Sequence, residues 1–330
     1  MTLDPNSKGL DRRQFLHRLT KAGVTITAAC AAGFWFHDSK GPFPSEHQQS
    51  NLDLKDFSLD VPKQKMSIVR GEDRAVALRT ALKSLGGIET FIKKGDRVLL
   101  KVNAAFASPA MLSATTHPAI ITEMTQLCFR AGAASVTVTD NPINDPGSCF
   151  TLTGIADAAR RAGAGVVLPR EDLFSPITVK DAKLIRNWPV LYKPFTDITK
   201  VIGMAPLKDH HRSGASMTMK NWYGLLGGRR NIFHQDIHGI IKELAMMVKP
   251  SLVVLDATTS MMTNGPTGGS LSDLKNTNTM IVSTDQVAAD AFGASLLGRS
   301  IDELPFIGKA QAAGIGTADY FKLNPVMTSI

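Results

Sequence analysis

The chain has 330 residues, 43% of them hydrophobic and 20% charged, with three cysteines and a net charge of +8. So much apolar material with so little charge excludes a disordered chain, and three cysteines cannot staple a fold of this size. Beyond the first forty residues no uncharged apolar run approaches the roughly 20 residues needed to cross a bilayer.

Residues 1–36 read as a segment apart from the fold. Asp11-Arg12-Arg13-Gln14-Phe15-Leu16 is followed by a 15-residue uncharged stretch, Ala22 to Phe36, rich in Ala, Gly and Thr. Paired arginines, a Phe-Leu and a weakly apolar run resemble a twin-arginine (Tat) export signal. At about 1.5 Å per residue the uncharged stretch reaches about 22 Å, short of the roughly 30 Å hydrocarbon core. Ala29-Cys30-Ala31 fits a small-residue cleavage pattern, whereas Gly33-Phe34-Trp35-Phe36 extends the apolar run past it. A cleaved leader and an uncleaved membrane anchor both fit. The twin-arginine machinery is the expected partner, and the periplasm or an equivalent exported location the destination. Residues 37–65, polar and proline-dotted, read as a linker. Setting aside residues 1–50 leaves 31 basic and 25 acidic residues, or +6, with no dense Lys/Arg run. A nucleic-acid partner is not expected.

From residue 66 to about 325, short β-branched runs alternate with helical patterns. Strands are predicted over 67–70, 97–102, 135–139, 165–168, 198–205, 251–255 and 279–283. Helices are predicted over 74–85, 118–131, 154–162, 237–248 and 286–297, several ending at a glycine as in Ala131-Gly132. This alternation implies an α/β fold, a mostly parallel sheet with helices on both faces. The Pro- and Gly-richer stretch over 142–194 reads as an insertion or subdomain.

Parallel α/β sheets bind ligands at the carboxyl ends of their strands. Five of the seven predicted strands deliver polar side chains there: Lys101 and Asn103, Asp140, Lys208 with His210 and His211, Asp256, and Ser283 with Asp285. Lys220-Asn221 joins them, because a lysine in an apolar stretch needs an anion or a carboxylate. On this reading His210, Lys220 and Asp256 are the catalytic candidates. Lys101, Asn103, Lys208, Asn221 and Ser283 would bind a small anionic substrate, and His117, Asp140, Asp256 and Asp285 would hold a divalent metal. Plainer roles stand beside these: Asp285 as a helix cap, Asp140 as a turn former, His117 as a helix-start residue. Of the adjacent His210 and His211, one is expected to serve the site and the other to face solvent. No GxGxxG, GxxxxGK[ST], GxSxG or HExxH motif is present. Cys30, Cys128 and Cys149 lack the spacing to ligate an iron–sulfur cluster, and whether Cys128 and Cys149 pair is left open.

Leu99-Leu100-Lys101-Val102-Asn103, Thr115-Thr116-His117-Pro118, Lys208-Asp209-His210, Lys220-Asn221-Trp222, Asp256-Ala257 with Gly265-Pro266, and Ser283-Thr284-Asp285 with Asp290 occur in one order. In this the chain resembles the family known as domain of unknown function 362, over roughly residues 66–320. The resemblance implies an α/β protein; some relatives carry a ferredoxin-type iron–sulfur module, for which this sequence has no cysteine set. Three functions follow as alternatives: a metal-assisted exported enzyme acting on a small anion, a non-catalytic accessory protein of an exported electron-transfer system with a redox partner, and a periplasmic anion-binding module.

Overall fold

Short runs such as Val98-Leu99-Leu100 can lie flat only where both faces of a strand are covered, and that requirement sets the architecture. The computed structural model describes residues 11–35, 52–59 and 65–330. A helix, α1 (Arg12–Trp35), belongs to a unit separate from the body, which begins at Phe43. Among the described residues no helix is long and apolar enough to cross a membrane.

The body runs β1 (Met66–Arg70), α2 (Arg74–Ser84), β2 (Arg97–Lys101), α3 (Pro118–Arg130), β3 (Ser135–Thr139), α4 (Pro146–Leu152), α5 (Ile155–Arg161) and β4 (Gly165–Val167). Then come β5 (Phe174–Ile177), β6 (Trp188–Leu191), β7 (Lys200–His210), β8 (Gly214–Ser216), α6 (Thr218–Asn221) and α7 (Ile237–Met247). It closes with β9 (Leu252–Met261), β10 (Leu274–Ser283), α8 (Gln286–Leu296), α9 (Pro305–Ala312) and β11 (Val326–Ser329). One sheet has the order β11-β1-β10-β9-β7-β2-β3-β4, with β8 paired to β7. From β9 to β4 the neighbours are parallel, and the mostly parallel α/β reading holds. β10 runs antiparallel to both β9 and β1, and the short β8 antiparallel to β7.

The two faces have separate cores. Val98 and Leu100 of β2 pack with Leu78 of α2, Ile121 of α3 and Ile155 of α5. Leu99, Val201 and Leu255 face the other way, toward Ile240 and Leu244 of α7 and Val287 of α8.

One sequence reading changes here and one open question is decided. Part of the expected linker belongs to the core: Leu54 and Phe57 are buried, and the Phe57 backbone bonds to Lys249 and to the Ser251 hydroxyl. Residues 36–51 and 60–64 of that segment lie outside the described residues, as do the side chains of Ala29 and Cys30 in the expected cleavage pattern. Cys128 and Cys149 are both free and buried, on α3 and α4, so they do not pair. The 142–194 stretch contains the β5–β6 hairpin, whose Ile177, Trp188 and Leu191 join the α7-side core.

Candidate functional site

The chain leaves β2 through α3 on one face of the sheet and leaves β7 through α6 and α7 on the other. Where successive connections diverge in this way, a crevice opens beyond the carboxyl ends of the two strands. A cavity of about 500 Å³ lies there. Asn103, Phe106, Asp140, Lys208, His210, His211, Lys220, Asn221, Tyr223, Arg230, His234 and the Asn264–Thr267 loop line it.

Its floor is an ion pair. Lys101, at the end of β2, is fully buried, and its Nζ lies 2.7 Å from Oδ1 of Asp140. The ammonium also donates to the carbonyls of Val102 and Asn221 at 2.7 Å each, while Asp140 Oδ2 accepts the Ala104 amide at 2.6 Å. Burial pushes the Lys101 ammonium down and the neighbouring Asp140 charge pushes it back up. Asn221 donates from Nδ2 to the carbonyls of Lys101 and Met204, tying α6 to the end of β2 and the middle of β7.

Above the floor the cations lack ion pairs of their own, and the Asp140 charge reaches Lys208 and Arg230 only from a distance. Lys208 Nζ donates to the Ala114 carbonyl and sits 5.1 Å from the centre of the Phe106 ring. Lys220 Nζ sits 5.1 Å from the centre of the Tyr223 ring. Neither has a carboxylate partner among the described residues. Burial, with the charge of Lys220 beside it, brings Lys208 down to about 7; burial and Arg230 bring Lys220 down to about 8. Arg230 donates from Nη1 and Nη2 to the carbonyls of Asn141, Leu226 and Pro142, which fixes a third cation at the wall.

Three imidazoles complete the rim. The His210 ring stacks on His211 at 4.9 Å and on His234 at 6.1 Å. His210 Nδ1 accepts the amides of Arg212 and Ser213, which leaves the proton on Nε2. Burial, then the charge of Lys220, drives its pKa far down, so the ring is neutral.

The fixed position of Lys220 comes from Asp290 of α8. That buried carboxylate accepts the Thr218 amide at 2.8 Å, the Thr218 hydroxyl at 2.6 Å and the Met219 amide at 3.1 Å. Trp222 Nε1, just beyond α6, donates to Gln286 Oε1 at 2.7 Å.

Of the residues expected at the site, Asn103, Asp140, Lys208, His210, Lys220 and Asn221 converge on the cavity. Lys101 lies beneath it, its ammonium taken by Asp140 and two carbonyls. Ser283 and Asp285 are elsewhere: β10 is antiparallel, so its carboxyl end lies at the opposite edge of the sheet. There Ser283 Oγ accepts the Asp285 amide, and Asp285 caps α8 through the Val287 and Ala288 amides. Asp256 lies on the α2 side of β9 and pairs with Arg74 Nε at 2.9 Å. His117 caps α3 by accepting the Ala119 amide and feels the charges of Arg74 and Asp256. The expected metal set of His117, Asp140, Asp256 and Asp285 is therefore dispersed. Among the described residues no three His, Cys, Asp or Glu side chains gather as a metal-holding group. His210 is buried at the cavity and His211, though it borders the opening, is exposed, as expected of the adjacent pair. Arg230, Tyr223, Phe106 and His234 are additional members. Arg229-Arg230 is visible in the sequence as a pair, but only the fold separates an inward member from an exposed one.

A family model described as Domain of unknown function (DUF362) matches residues 98–295. The chain belongs to this family. The DUF362 match takes in every cavity-lining residue named above and the supporting Asp290. A thylakoid-associated protein of Synechocystis is 25% identical over 254 residues, covering 72% of this chain and 74% of that one. The lactate racemase apoprotein of Thermoanaerobacterium thermosaccharolyticum aligns at a TM-score of 0.40 and 11% identity, over 77% of this chain and 60% of the longer neighbour.

Proposed function

We propose that this DUF362 protein binds a small organic anion in the cavity between β2 and β7. The observation that carries the reading is the convergence of Lys208, Lys220 and Arg230 on one cavity while Lys101 absorbs its only lining carboxylate, Asp140. An anion entering there replaces repulsion among cations with attraction, beside a protein wall where Coulomb forces are stronger than in bulk water. About 500 Å³ is within the range of organic ligand sites and exceeds what a bare inorganic anion fills. Phe106, Ile143 and Pro266 supply apolar wall for the ligand body. His210 Nε2–H adds a neutral donor.

A charge series with one aromatic body tests this: phenyllactate, phenethyl alcohol and phenethylamine, titrated calorimetrically. Phenyllactate should bind and the other two should not. Lys208→Met and Lys220→Met should each weaken it about 10- to 100-fold, the equivalent of one charge-assisted hydrogen bond of about 1.5–3 kcal/mol. Equal binding of the alcohol or the amine overturns the reading.

The segment carrying Arg12-Arg13 is proposed as the export address that delivers this protein across a membrane. Fractionation of cells expressing an Arg12→Lys, Arg13→Lys double variant tests it; unchanged export of that variant overturns it.

A further inference from the structure

We propose that Lys220 is a nucleophile that forms an imine with the carbonyl carbon of a 2-oxo acid held in the cavity. The inference rests on the anion-binding reading and names the substrate class for it.

Three lysines surround this site, and their surroundings sort them. Lys101 is held by Asp140 and two carbonyls, so its nitrogen lone pair is never offered. Lys208 is anchored to the Ala114 carbonyl. Lys220 alone has no hydrogen-bond acceptor or carboxylate among the described residues; its neighbours are the Tyr223 ring and the Arg230 cation. An ammonium that is partly buried beside a guanidinium and has no acceptor is disfavoured, whereas a neutral amine loses little. The depressed pKa of about 8 leaves roughly a tenth of the amine as free base at pH 7.

Position matters as much as charge state. The start of α6 is held by three bonds to the Asp290 carboxylate, and its end by the Asn221 amide and the Trp222 indole. The amine thus projects into the cavity from backbone fixed on both sides, as a reactive group must. The cavity supplies the remaining parts. Arg230 provides the charge that faces a carboxylate, and His210 Nε2–H can hydrogen-bond to the carbonyl oxygen. Lys208, with an ammonium brought down to about 7, is a proton relay matched to neutral pH.

The chemistry balances within these groups. The Lys220 lone pair attacks the carbonyl carbon, forming the C–N bond, and the oxygen takes a proton from Lys208. Nitrogen returns a proton to Lys208, giving a neutral carbinolamine. A second pass of one nitrogen proton through Lys208 to the hydroxyl expels water and leaves the C=N bond. In net balance the Lys220 amine gives up the two hydrogens that leave as water, Lys208 ends as it began, and no external oxidant or reductant enters.

The test is reductive trapping. The full chain is incubated with phenylpyruvate and sodium cyanoborohydride, which reduces an imine in preference to the free ketone, then read by intact mass and peptide mapping, with phenyllactate as the competitor that lacks a carbonyl. A single adduct on the peptide bearing Lys220, suppressed by phenyllactate and missing in Lys220→Arg, is the expected result. Adducts on Lys208, or scattered over surface lysines, or none at all while phenyllactate still binds, overturn the nucleophile and leave the anion site standing. Absence of both phenyllactate binding and the Lys220 adduct removes both readings. Peptide mapping of the unsubstituted protein keeps the test independent of how any variant folds.

Discussion

A Cβ on Gly224 would collide with Oδ1 of Asp140 and stand 3.0 Å from Nζ of Lys101. The backbone after α6 thus lies directly on the buried ion pair, and the Asn141 amide bonds to the Gly224 carbonyl at 2.9 Å. The contact joins β2, β3 and the α6 segment at one point. Gly224→Ala must push the carboxylate off the ammonium or the loop off the sheet. Breaking one side of a buried pair typically destabilises by about 3–5 kcal/mol. We expect a loss of that order in urea unfolding, with phenyllactate binding abolished; a variant within about 0.5 kcal/mol of the parent would show that the loop moves aside freely.

Two pH trends should run in opposite directions. Lys208 and Lys220 sit at about 7 and about 8, below the ordinary 10.5. The unfolded chain binds more protons than the folded one between those values, so stability of the ligand-free protein rises with pH from about 7 to 10.5. Anion affinity does the reverse, because the cations are being lost: each lysine that must be charged contributes up to about a tenfold loss per pH unit above its pKa. Calorimetric titrations of phenyllactate from pH 6 to pH 9, beside urea curves at the same pH values, check both. Affinity that is flat across the range would remove the lysines from the ligand.

How far the sequence reaches is clearest at β10. The apolar run Thr279–Ser283 is legible as a strand, but its direction is not, and treating it as parallel puts Ser283 and Asp285 at the wrong edge. A signal was present: no helical pattern lies between the 251–255 and 279–283 runs, only a loop with Asn264, Gly265, Gly268 and Gly269. A parallel neighbour needs a crossover of a dozen or more residues, usually a helix; an antiparallel one needs only a turn. Lys208, His210, Lys220 and Asn221 are legible because they lie in the last residues of a long strand or interrupt an apolar stretch. Arg230, Tyr223 and His234 are not, because they reach the cavity through irregular 3₁₀ turns that carry no periodic pattern. Asp256 misleads for a different reason: β9 continues past it to Met261, so it is a mid-strand residue and not a strand end.

Asp290 should shape the pH dependence of folding from beneath the site. Burial, opposed by the bonds from Thr218 and Met219, raises its carboxyl from 3.8 to about 7. In that interval the folded protein binds more protons than the unfolded chain, so this group makes stability fall as pH rises, by up to about 1.4 kcal/mol per unit. Asp290→Asn removes the titration but keeps an amide able to accept from α6. The expected outcome is a flatter stability profile between pH 4 and 7 and a modest loss of phenyllactate affinity through displacement of Lys220. An unchanged slope would mean that the carboxyl titrates normally.

Asp256 provides the contrast that separates site from scaffold. Its carboxylate accepts from Arg74 at one oxygen and from the Thr258 amide at the other, on the α2 face of β9, and it does not line the cavity. Asp256→Ala leaves Arg74 and His117 facing each other without the charge between them, and strips the Thr258 amide of its acceptor. Orphaning such groups costs about 1–3 kcal/mol each. We therefore expect several kcal/mol of lost stability in urea with phenyllactate affinity unchanged under native conditions, the reverse of the Lys220→Met pattern. If Asp256→Ala instead leaves stability intact and abolishes binding, the ligand reaches across β9, and the cavity between β2 and β7 is only part of the site.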